Sequence, residues 1–304
     1  MTAEIAILNK SAVALATDSA VTISSGSSSH KVFDSADELF ELSCSQPIGV
    51  MIYNGMQFSG VPLQDLIKDF RSQNQNFSTV VEAANQLLRF LNEEGLHAPK
   101  HERDQQVISI AAPYILKISG ILDRAVKDKL TDFDIEKDAS FDDFVRKTCG
   151  EILTPLETAA DREDNASFYA LNGDPSLSNE ESQIIDQLAA KDPGLLDDAT
   201  IQRLATLVKR LILKSPLSPN RTGLIVAGFG RDERFPSLVS FEFDGIIAGG
   251  LKFNKTSECD IDRGGPLAYI RPFAQKDMVE RFLYGIDEKI GDYIFDKPSG
   301  LTYI

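Results

Sequence analysis

The chain has 304 residues, 42% of them apolar and 25% charged, which is enough material for a buried core in one large domain or two modest ones. A net charge of −15 speaks against a nucleic-acid surface, because neutralising phosphate needs clustered Lys and Arg that the sequence lacks. The three cysteines, Cys44, Cys149 and Cys259, are far apart and odd in number, so they form no disulfide framework or Cys-x-x-Cys metal knuckle, and a reducing compartment is expected.

Residues 3 to 9 and 12 to 17 are two β-type runs rich in Ala, Val, Ile and Leu, joined by the polar turn Asn9-Lys10-Ser11. Both are nearly continuous in apolar residues, which predicts strands buried on both faces. The first apolar stretch, Ile5 to Leu8, is too short for a signal peptide, and no window approaches the roughly 18 apolar residues of a membrane span. A cytoplasmic protein that binds neither membrane nor nucleic acid is expected.

A third strand is expected over Ala20 to Ser24, followed by a flexible loop through Ser29. Lys31-Val32-Phe33 opens the next ordered segment, and strand-like runs follow at Glu38 to Ser43 and Ile48 to Tyr53. Asn54-Gly55 ends the last of these with a pair that tolerates positive φ. Helical periodicity then takes over: Leu63, Leu66, Ile67 and Phe70 share a face, and Thr79 with Glu82 has capping-box spacing ahead of Leu87, Leu88 and Leu91. From residue 97 to 219 the pattern is almost wholly helical, with helices at 105–130, 140–159, 179–191 and 199–213 and an exposed loop over Asp161 to Asn179. Ser140 with Asp143 and Ser178 with Glu181 mark two of the helix starts. Strand character returns at Thr222 to Phe229 and Leu238 to Phe243, and Asp244-Gly245 reads as a hairpin turn into Ile246 to Phe253. A last helix is expected at about Gln275 to Tyr293.

Strands split by such a block point to one α+β sandwich carrying a helical insertion, with residues 1–96 and 220–304 forming the sandwich and 97–219 the insertion. His97 and His101 have a metal-ligand spacing, but Pro99 between them breaks a shared helix and no third ligand is near. Gly228-x-Gly230 lacks the following helix start that a phosphate cradle needs. No cofactor or metal is therefore expected.

The candidate chemistry lies at the start of the chain. Removal of Met1 would leave Thr2 as a terminus with both a hydroxyl and an α-amine, a weak nucleophile with its own base. The α-amine has a reference pKa of about 7.7 to 8.0, which suits it to take up and return a proton. Lys31 and Asp18 are candidate tuning charges, and a backbone N–H near Gly55 is a candidate oxyanion donor.

Thr2, the Ala-Val-Ala-Leu-Ala-Thr-Asp-Ser run of residues 12 to 19, and the sixteen-residue interval from Thr2 to Asp18 (18 − 2) together resemble the opening of proteasome β-type and HslV-like subunits. These belong to the N-terminal nucleophile (Ntn) hydrolase superfamily. The resemblance implies a four-layer αββα sandwich and peptide-bond cleavage through an acyl-enzyme on Thr2. Asp18, Lys31 and Gly55 would then match the family's aspartate, lysine and oxyanion-site glycine. It further implies a homo-oligomer, ring or open, acting on a peptide or protein substrate, with room for a separate ATP-dependent unfoldase. Two features depart from the family. The interval from Lys31 to Gly55 is longer than usual, so that strict spacing counted back from Gly55 lands on Glu41, and the block at 97–219 has no counterpart in a minimal subunit. An inactive, partner-binding subunit is the alternative that the resemblance leaves open.

Overall fold

A computed structural model describes residues 3–17, 21–25, 28–33, 37–73, 76–130, 140–171, 173–262, 264–274, 281, 282 and 285, with the backbone alone across 21–33. The protein is α+β with several antiparallel sheets. In chain order the elements begin with β1 (Ala3–Asn9), β2 (Ala12–Thr17), β3 (Val21–Ser25), β4 (Ser28–Phe33), β5 (Leu39–Glu41) and β6 (Ile48–Tyr53). The short pair β7 (Gln57–Phe58) and β8 (Val61–Pro62) leads into α1 (Leu63–Gln73) and α2 (Val80–His97). Then come α3 (Lys100–Asp128), α4 (Phe141–Arg162), β9 (Ser167–Phe168), α5 (Asn179–Ala190) and α6 (Asp198–Leu211). The remaining strands are β10 (Thr222–Gly228), β11 (Ser237–Ile247), β12 (Gly250–Asp260) and β13 (Ala268–Ala274).

Two sheets stack face to face. A six-stranded sheet has the order β5-β6-β10-β11-β12-β9, and a three-stranded one has the order β13-β1-β2. Strand alternation sorts the side chains. On β6 and β10, Val50, Ile52, Leu224 and Val226 face α1 and α2, where Leu63, Phe70, Val80, Leu87 and Leu91 complete one core. Met51, Tyr53, Ile225 and Ala227 face the other way, onto Ala6 and Leu8 of β1 and Phe273 of β13. Leu15 of β2 comes so close that a Cβ added at Gly49 would lie 3.0 Å from its Cδ1, so Gly49 sets the spacing of the sheets at that point.

The small sheet departs from the expectation of strands buried on both faces. Glu4, Ala6 and Leu8 are buried, whereas Ile7 and Ile270 on its outer face are exposed and Ala14 and Ala16 follow the same parity. Apolar residues occupy both faces of these strands, which hides the alternation from the sequence. The structure also contains β13, for which the sequence offered no signal; it pairs with β1 from Ala3↔Ala274 to Asn9↔Ala268. Pro272 sits in it without interrupting the ladder to β1, with β13 at the edge of its sheet among the described residues. The serine loop expected after Ser24 instead carries strand ends, with Ser24↔Ser29 and Ser25↔Ser28 paired. The helix expected at Gln275 to Tyr293 lies almost entirely outside the described residues.

Helix starts follow their caps. Glu82 N–H donates to Thr79 Oγ1 at 3.1 Å, Asp143 N–H to Ser140 Oγ at 3.1 Å, and Ser178 and Glu181 form a reciprocal capping box. Helices α3 to α6 bury a core of their own, including Ile110, Leu122, Val145, Cys149, Ile185 and Val208, with Ile247 reaching in from the large sheet. One 18-residue window of α3 has a mean hydropathy of 1.2, and the helix buries Val107, Ile110, Ile115, Ile118, Leu122 and Val126 against its neighbours. The block is not purely helical: β9, within the expected loop, pairs with β12 at the sheet edge. Side chains tie the block to the β11–β12 turn, where Gln106 Oε1 accepts from Ile246 N–H at 2.6 Å and Glu181 Oε1 from Ala248 N–H at 2.9 Å.

That turn is not the Asp244-Gly245 expected. β11 runs through both residues with a bulge, and the chain reverses at Ala248 and Gly249, both at positive φ. Asp244 is instead buried in an ion pair with Lys252 Nζ at 3.3 Å, both side chains fully buried, and it accepts Ser218 N–H at 2.9 and 3.1 Å. Lys252 also donates to Pro216 O at 2.8 Å, so the pair fixes the path from α6 back into β10. Burial pushes the Lys252 pKa down, against the pull of Asp244. Asp244→Ala leaves that ammonium buried and unpaired, and is expected to cost about 3–5 kcal/mol in urea unfolding, whereas Asp244→Leu/Lys252→Met costs less.

Candidate active site

The N-terminal candidates divide by what is described. Thr2 and Asp18 lie outside the described residues, and Lys31 is described in its backbone only. That backbone places Lys31 within β4, opposite Thr22, in a two-stranded sheet of its own. It does not open the strand next to β6. That strand is β5, whose Leu39, Phe40 and Glu41 pair with Met51, Val50 and Gly49, and the buried residue just before it is Glu38. Glu38 O also accepts Ile52 N–H at 2.9 Å. Glu41, where strict spacing from Gly55 lands, is exposed and lies 3.5 Å from Arg71.

Gly55 follows Asn54, whose φ is 67°, and its N–H donates back to Tyr53 O at 2.9 Å. The Gly55 N–H thus takes part in a tight turn. A Cβ at Gly55 would overlap Thr222 Oγ1, so packing explains the glycine. Gly55→Ala is expected to cost about 1–3 kcal/mol in thermal unfolding, with much of that loss recovered by adding Thr222→Ala.

Sequence reasoning passed over the most unusual group in this region, Glu4. It is fully buried on the inner face of β1, and neither of its carboxylate oxygens has a hydrogen-bond partner among the described residues. Its neighbours along the sheet are Thr17 of β2 and Phe273 of β13. Burial, and then the charge of Glu38, pushes the Glu4 carboxyl up to about 9. Tyr53, at the end of β6, faces the same space; a Cβ at Gly223 would overlap its ring. Tyr53 OH donates to Glu242 Oε1 at 2.8 Å, and Arg221 Nε donates to Glu242 Oε2 at 2.7 Å. Burial first, then the charges of Glu242 and Glu4, hold the Tyr53 hydroxyl in its protonated form. A signal for Glu4 was present in the sequence: it is the single charged residue of β1, in phase with Ala6 and Leu8.

His97 ends α2 and His101 lies in the first turn of α3, and no group of three His, Cys, Asp or Glu among the described residues is arranged to hold a metal. Gly228 ends β10 and Gly230 lies in a loop closed by Glu233, whose Oε2 accepts Gly230 N–H at 2.6 Å and Val80 N–H at 3.0 Å at the start of α2. Cys149 is buried, its thiol pushed up to about 11 by burial, and burial raises Cys259 as well. No protein-family model, curated protein or solved structure matches this chain.

The Glu4 pKa has a consequence for stability. Because its folded value lies above the unfolded one of 4.5, the folded state holds the extra proton and loses stability as pH rises from about 4.5 towards about 9. Glu4→Gln removes that slope. Wild type and variant are expected to melt with similar differences below pH 5, and by pH 8 the wild type falls behind by on the order of a few kcal/mol, read by denaturant titration at each pH.

Proposed function

We propose that this protein is a proteasome-like Ntn hydrolase that cleaves amide bonds of peptides or proteins through an acyl-enzyme on Thr2 once Met1 is removed. The observation that carries this reading is the stacking of the β1–β2–β13 sheet on β6 and β10. The strand beginning directly after Thr2 is held in a two-sheet sandwich, and a buried ionisable cluster of Glu4, Glu38 and Tyr53 lies at that end. An αββα sandwich is the finer fold this reading entails, with α1 and α2 as one helical layer. In the mechanism, the Thr2 hydroxyl attacks the scissile carbonyl while the α-amine takes its proton and passes it to the leaving amine; water then releases the acyl group. Asp18 is proposed to orient the terminus. Self-assembly and a cytoplasmic location belong to the same reading.

One observation favours a second reading, a non-catalytic subunit of the same fold. Strict spacing of the family's lysine counted back from Gly55 lands on the exposed acid Glu41, with Lys31 on a different sheet.

Intact mass and treatment with an epoxyketone or β-lactone separate the two. The hydrolase reading expects loss of Met1 and a single adduct mapping to Thr2, abolished in Thr2→Ala. Retention of Met1, or no adduct on natively folded protein, establishes the non-catalytic reading instead.

A further inference from the structure

We propose that the exposed outer face of the β13–β1–β2 sheet is a docking surface for the segment of this chain that follows β13, residues 275–293, of which only 281, 282 and 285 are described. The contact needs no activity at Thr2, and both functional readings accommodate it.

The outer face has the chemistry of an interface. In phase with Ile7, the three strands present Ile5, Ala14, Ala16, Ile270 and Pro272, and no residue of that phase is charged. Ile7 is 38% and Ile270 49% exposed. An antiparallel sheet that keeps one face in water carries polar residues there, and this face carries only Asn9, at its end. On a chain of net charge −15, such an uncharged apolar face marks an interaction surface.

Its size selects the occupant. Three short strands offer an area of roughly 10 by 23 Å. That is far short of the roughly 800 Å² that each partner of a stable complex contributes, so the face is too small to hold a second copy by itself. A single helix, about 10 Å across, covers it.

The chain delivers such a segment to this place. β13 is at the edge of the sheet among the described residues, and its last residue, Ala274, lies opposite Ala3 with a φ of 55°, which turns the backbone out of the strand. Further on, Gly285 N–H donates to Arg281 O at 2.9 Å with Gly285 at a φ of 75°, the arrangement that closes a helix. Helical spacing puts Val279 and Leu283 on one side of the segment and Asp277 and Arg281 on the other. Phe282 is 88% exposed, which leaves the Val279 and Leu283 side to meet the sheet, with Ile286 next in line after Gly285. Their branched side chains fit the shallow floor that Ala14 and Ala16 leave beside Ile7.

The test reads the contact from both sides in the full-length chain. A Cys44→Ser background removes the exposed thiol, and Ile270→Cys then reports the sheet face by its rate of maleimide labelling, mapped by peptide. That rate is expected to rise about tenfold or more when Leu283→Asp/Ile286→Asp is added, a change that leaves β1, β2 and β13 unaltered. In parallel, hydrogen exchange of residues 279–290 is expected to be slow in wild type and to speed up by a similar factor in Ile7→Asp, with β6 and β10 still protected. If Ile7→Asp does not fold, the labelling comparison decides alone. Fast labelling of Ile270→Cys that the added pair does not change overturns the proposal. Slow labelling that the pair leaves slow overturns it too, and assigns the cover to another part of the chain. Protection that disappears on dilution, together with a two-chain mass by light scattering, overturns it in favour of a second copy.

Discussion

The arrangement depends on how closely two sheets approach. The inner face of β1 and β2 packs onto β6 and β10 across Met51, Ile225, Ala6 and Leu8, and Leu15 closes tightly onto Gly49. Such packing excludes water, and burying Met51, Ile225 and Leu8 contributes about 1.5–3 kcal/mol each. The same exclusion makes Glu4 exceptional. A carboxylate could not sit in that layer unpaired at neutral pH, so the stacking that stabilises the sandwich also keeps Glu4 protonated.

The two sides of the large sheet perform separate tasks. One side rests on α1 and α2 over a large apolar core that admits the buried Asn92, whose Oδ1 accepts Leu251 N–H; the other meets the small sheet and carries the buried Glu4 and Tyr53. The helical block stands apart with its own core. It is joined to the β11–β12 turn by Gln106 and Glu181 and to the sheet by the Lys252–Asp244 pair. Buried polar contacts at a seam fix register more than they add stability, and here they hold the block to the far end of β11.

Much of the fold was legible in local signals. Thr79, Ser140 and Ser178 each cap the helix they were expected to start, because capping depends on a few adjacent residues. What depends on distant partners was not legible. Asp244-Gly245 has the composition of a turn, yet burial against Lys252 turns it into a bulge within β11. The parity of β1 is masked by Ile5 and Ile7 on the outer face, and β13 by Pro272 and Arg271. The candidate site shows the same division. Thr2 and Asp18 stand out by spacing alone, whereas Glu4 shows only as the one charged residue in phase with Ala6 and Leu8, and its burial appears once β1 packs onto the large sheet.

A crystal structure of the protein after epoxyketone treatment tests the proposed chemistry most directly. The account predicts continuous density from the inhibitor to Thr2 at the chain terminus, with Glu4 buried between the two sheets. Density for an intact Met1 ahead of an unmodified Thr2, or an adduct on any other residue, would contradict it.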